Sequence, residues 1–75
     1  MREAIVKEHL ASKPFRPFRL HVSYGESYEV NDPDTVFIMT GRIILGSDPD
    51  EAGIPRKATY IDPIHVTRIT HVNGA

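Results

Sequence analysis

The sequence predicts a mostly β protein of the α+β kind, with one short N-terminal helix and then five or six short antiparallel strands bent strongly into a small barrel. Three observations predict it. Residues 18–30 alternate apolar and polar side chains on either side of a glycine turn. Residues 35–46 repeat the hairpin pattern but are apolar on both faces. Helical periodicity is confined to the residues ahead of Pro14. At 75 residues the chain is expected to be a single domain over 1–75.

The helix is predicted over about residues 2–12. Ile5, Val6 and Leu10 form an apolar stripe, and Glu3 with Lys7 makes a favourable pair one turn apart. Pro14 stops the helix, because it lacks an N–H and restricts Lys13. Eleven residues are marginal alone in water, so the helix must dock on something. Pro14 to Pro17 is then a stiff connector anchored by Phe15.

The first strand, about 18–23, puts Phe18, Leu20 and Val22 on one face and Arg19, His21 and Ser23 on the other. Tyr24-Gly25 reverses the chain into a second strand, about 26–31. Asn31 to Asp34 is a dense turn signal. Strands at about 35–40 and 42–46 follow, joined by Thr40-Gly41. Val36 to Met39 and Ile43 to Leu45 are apolar throughout, and such strands need cover on both faces. One face meets the core; the other needs the helix or a second subunit.

Residues 46–55 read as a polar loop, and a strand at about 57–61 follows. Asp62-Pro63 reads as the cap and first residue of a single helical turn of the 3₁₀ kind before the last strand, about 66–72. That strand spaces Val66, Ile69 and Val72 three apart, so a bulge or a later start is needed to restore its phase. Asn73 to Ala75 is a tail that should fray.

Composition limits the function. A chain this short buries only ~60–65% of its unfolded surface, so packing or self-association must supply stability. It has no cysteine, hence neither a disulfide nor a thiolate for zinc, which suits the cytoplasm as the expected compartment. No secretory leader or membrane-spanning run is visible, and no membrane partner is expected. Nine Lys plus Arg stand against ten Asp plus Glu, which is not the balance of a protein that binds nucleic acid by bulk charge; no DNA partner is expected, and only a local basic face is left open.

The order of elements resembles the Sm/LSm-like fold, the Hfq-like small barrels included. Residues 20–30 look like the first Sm hairpin, and Tyr60 to Val66 looks like the closing strand, turn and strand. That resemblance implies an RNA-binding oligomer. The glycine of the second Sm strand is replaced by Glu29-Val30-Asn31, and the uridine-binding loop residues of that family have no counterpart here. An SH3-like barrel fits the same pattern. The Pro14 to Arg19 run and the closing His65 to Ile69 also resemble a group of short planctomycete-type bacterial proteins without a known function.

No nucleophile–base pair, phosphate-cradling glycine loop or Gly-x-Ser-x-Gly motif is present, so no enzyme and no cofactor are expected. The leading expectation is a non-catalytic interaction module that docks on itself or a protein partner through Ile38, Met39 and Ile44. A second expectation is RNA binding by Arg19, Arg42 and Arg68 with Tyr24 and Tyr28, through phosphate contacts and base stacking. A weaker one is a metal site at His21 and His71, if both lie on the outer faces of neighbouring strands. The acidic run 48–53 has carboxylates and a glycine, but Pro49 and Pro55 break the spacing of a calcium loop.

Overall fold

The computed structural model describes residues 1–72; the fraying expected at Asn73 to Ala75 lies outside them. In order, the chain forms α1 (Glu3–Leu10), β1 (Phe18–Val22), β2 (Ser27–Val30), β3 (Val36–Met39), β4 (Arg42–Pro49), β5 (Pro55–Ile61) and β6 (Val66–His71). One-turn 3₁₀ segments sit at Pro33–Thr35 and Pro63–His65.

The strands pair as two three-stranded antiparallel sheets, β2-β1-β6 and β3-β4-β5, rather than as one closed ladder. The two interruptions have the same cause. Each 3₁₀ turn starts with a proline, which donates no hydrogen bond, behind an aspartate that caps the turn. Asp32 accepts from the Asp34 amide at 2.9 Å and Asp62 from the Ile64 amide at 3.1 Å. Backbone groups that would continue a ladder are spent on these turns, so β2 and β3, and β5 and β6, belong to different sheets.

The period-two reading of the first hairpin holds. Phe18, Leu20 and Val22 are buried, and Arg19 and His21 face outward. Gly25 and Gly41 make the two reversals at φ of 93° and 74°, which glycine adopts without a steric cost. The phase problem of the last strand is resolved by a bulge. Val22 pairs with Val66 and His21 with Arg68, leaving Thr67 as the extra residue.

Both sheets and the helix contribute to one core. Val6 joins Phe18, Leu20, Val22, Val30 and Val66 from one side and Ile43, Leu45 and Ile61 from the other. The predicted helical stripe is only partly right: Val6 is fully buried, Leu10 packs at the margin, and Ile5 is exposed. Glu3 does not pair with Lys7. Its carboxylate instead accepts from the Gly41 amide at 2.6 Å and ties the helix to the β3–β4 turn. That bond holds the Glu3 carboxyl below its usual value.

The polar loop is shorter than the sequence suggests, because β4 and β5 run on to Pro49 and Pro55. One Asp50 carboxylate oxygen accepts from the amides of Ala52 and Ile54, both at 2.9 Å. This aspartate therefore organises a tight turn, with Gly53 at φ 83°.

Candidate functional site

The outer face of sheet β3-β4-β5 carries a cross-strand apolar row. Phe37 pairs with Ile44, and Ile44 with Tyr60. Directly opposed residues on neighbouring strands project to the same side. Ile43 and Leu45 are buried, so Ile44 and its two partners face away from the core. Phe37 is 63% exposed, Tyr60 66% and Met39 45%. Met39 pairs with Arg42 in the next row, and the Arg42 guanidinium lies 5.7 Å from the Tyr60 ring centroid. This cation–π contact is favourable and keeps the ring and the charge on one surface.

Of the three residues predicted for self-association, Met39 and Ile44 lie on this face. Ile38 does not: it pairs with the fully buried Ile43 and packs against the core. Sequence reasoning missed Phe37 and Tyr60. In a run apolar on both faces, such as Val36 to Met39, alternation does not say which set points inward. Tyr60 carried a clearer signal, since it alternates with Ile61, whose position before the Asp-Pro turn belongs to the core.

The predicted RNA-binding residues are dispersed. Arg19 and Arg68 lie on the outer face of sheet β2-β1-β6, which points away from the face bearing Arg42. Arg19 is ion-paired to Glu29 across the β1–β2 ladder at 2.7 Å, and Asn31 also donates to Glu29 at 3.0 Å. Arg19, followed by Asn31, holds the Glu29 carboxyl below its ordinary value. Tyr28 projects to the core side opposite Leu20, and its hydroxyl donates to Glu26 at 2.7 Å. The bond to that carboxylate and the nearby Tyr24 hydroxyl push the Tyr28 phenol up. Tyr24 sits exposed in the first reversal, its ring edge-on to His65 at 6.2 Å.

The structure does not bring His21 and His71 together on one face. His21 lies outward, opposite Arg68 and Ser27, and its Nε2 is 2.8 Å from the Thr70 hydroxyl. Desolvation, then the charges of Arg68 and Arg19, lower its pKa. His71 is opposite Phe18 and therefore on the inner side of the sheet. There it meets His9 of the helix, with ring centroids 5.9 Å apart. No group of three or more His, Cys, Asp or Glu suited to a metal occurs among the described residues.

Among the described residues, no helix is long and apolar enough to cross a membrane. No protein family, curated protein or solved structure matches the chain.

Proposed function

We propose that this chain is a non-catalytic interaction module that associates with a second copy of itself through the outer face of sheet β3-β4-β5. The two sheets are, on this reading, the halves of one small barrel of the Sm-like or SH3-like kind. The row Phe37–Ile44–Tyr60, exposed at both aromatic ends and half-buried at Ile44, carries the proposal. Large apolar side chains scattered singly on a surface are ordinary, whereas a contiguous row with Met39 beside it is a patch that association would cover. The row also suits its own copy. A two-fold axis parallel to β4 and lying over Ile44, outside the sheet, sets Phe37 of one protomer against Tyr60 of the other, an isologous contact. A net charge of −1 puts little repulsion between copies.

A second reading uses the same face. Two exposed aromatic rings on an open sheet with a guanidinium between strands form a platform on which single-stranded RNA bases could stack. The charge balance favours the protein contact. Size-exclusion chromatography with light scattering over a concentration series, followed by filter binding of A-rich and U-rich oligonucleotides at low salt, separates them. Mass that rises with concentration supports self-association. A monomer that binds oligonucleotide in a salt-sensitive manner favours RNA. A monomer that binds neither removes both.

A further inference from the structure

His9 and His71 come from opposite ends of the chain and meet at the seam between α1 and β6. His9 is held on two sides, with the Phe18 ring at 5.4 Å and the His71 ring at 5.9 Å. Its Nδ1 is 3.0 Å from the carbonyl oxygen of Ile5. A carbonyl only accepts, so Nδ1 carries the proton and the neutral ring keeps its lone pair on Nε2. A hydrogen bond from one ring nitrogen to a backbone carbonyl is the arrangement that orients metal-ligating histidines. The Nδ1 of His71 is buried with no hydrogen-bond partner, the only such side-chain atom among the described residues. An orphaned ring nitrogen of this kind calls for an explanation. Beside the pair lies a cavity of about 210 Å³, also lined by Glu8, Ser12 and Arg16.

We infer that His9 and His71 form a two-histidine site for a divalent transition-metal ion, with zinc as the reference case. With zinc–nitrogen bonds of about 2.0–2.1 Å, two imidazoles around a tetrahedral ion hold their centroids roughly 5–6 Å apart, which matches the observed spacing. Water completes the coordination from the cavity that the two histidines line with Glu8, Ser12 and Arg16. The site links the helix to the last strand, so occupancy would fasten the two ends of the fold.

Isothermal titration of the intact chain with zinc chloride tests this, read together with imidazole nitrogen NMR. The expected result is one ion per chain and shifted resonances of His9 and His71, with His21 and His65 unmoved. His9→Gln and His71→Gln should each weaken binding by roughly tenfold or more, because each removes one of two protein ligands. Arg16→Gln should tighten it by removing an opposing charge. His9 is on the helix surface side of the pair, so His9→Gln keeps the test valid if His71→Gln unfolds. Absence of zinc binding overturns the inference, as do shifts confined to one ring or centred on His21. Protection by inorganic phosphate that is lost in Arg16→Gln, with no response to zinc, would assign the cavity to an anion instead.

Discussion

Replacing Phe37 by threonine tests the self-association reading most directly. Threonine keeps the β-propensity of the strand and removes only the aromatic ring. Phe37 is 63% exposed in the monomer. A phenylalanine buries about 150–250 Å² when fully covered, so roughly 100–150 Å² of this one stays wet. At about 25 cal/mol per Å², covering it contributes roughly 3 kcal/mol. An isologous dimer covers the ring twice, for roughly 6 kcal/mol gross. Association itself costs about 4–15 kcal/mol, so a loss of this size decides whether a dimer forms. If the interface covers only half of that area, the loss is still about 3 kcal/mol, or roughly a hundredfold in Kd.

Sedimentation equilibrium over a wide concentration range measures that Kd, and circular dichroism checks the fold. Phe37→Thr should remain folded, since its side chain points out of the core. Ile38→Thr is the contrast: its neighbour Ile43 is fully buried, and polar substitution there should cost about 2–4 kcal/mol of stability. An unchanged Kd in Phe37→Thr would refute the reasoning. So would a wild-type chain that stays monomeric at the highest concentration reached.

Three further predictions concern the scaffold. A Cβ on Gly46 would stand 2.7 Å and 2.8 Å from two Pro55 side-chain carbons and 3.3 Å from the Thr35 carbonyl, so Gly46→Ala should cost about 1–3 kcal/mol in urea denaturation, with Pro55→Ala restoring part of it. Asp50→Ala removes the acceptor of two turn amides and should cost about 0.5–2 kcal/mol, with faster hydrogen exchange at Ala52 and Ile54. The folded pKa of His21 lies below its unfolded value of about 6.5, so its contribution is complete above that pH and is lost as pH falls, when the unfolded chain takes up the proton more readily. His21→Gln should therefore flatten the fall in urea midpoint between about pH 7 and pH 5, while the depressed Glu3 and Glu29 carboxyls, whose contributions are lost only as pH falls below about 4.5, leave a separate acid slope.

How much was legible in the sequence depends on whether a strand had one apolar face or two. The first hairpin has one, and Phe18, Leu20 and Val22 could be assigned inward without any partner. The second has two, and alternation there is silent about phase. Val36 and Ile38 turn inward because their partners Leu45 and Ile43 do, a fact that lives in the β3–β4 register and not in either strand alone. The length of the loop is hidden in the sequence for a related reason. Proline and acidic residues read as breakers, but an edge position and a capping Asp50 let the ladder continue to Pro49 and Pro55. Both 3₁₀ turns carry Asp-Pro, and the one at Asp62-Pro63 was readable as such because capping depends only on local sequence.

The placement of His71 turns on the same logic and could have been reached from the sequence. Once Ile69 is taken as inward and Thr67 as the extra residue of a bulge, the residue two beyond Ile69 must also point inward. That residue is His71, opposite Phe18. An imidazole on the inner side of an end strand needs either a hydrogen-bond partner or a neighbour that tolerates it. The nearest element able to cover that end of the sheet is the N-terminal helix, which carries His9 near its last turn. The pairing of His9 with His71 thus follows from one bulge and one docking constraint. The pairing of His21 with His71 required the strand to run without a bulge, and the spacing of Val66, Ile69 and Val72 already argued against that.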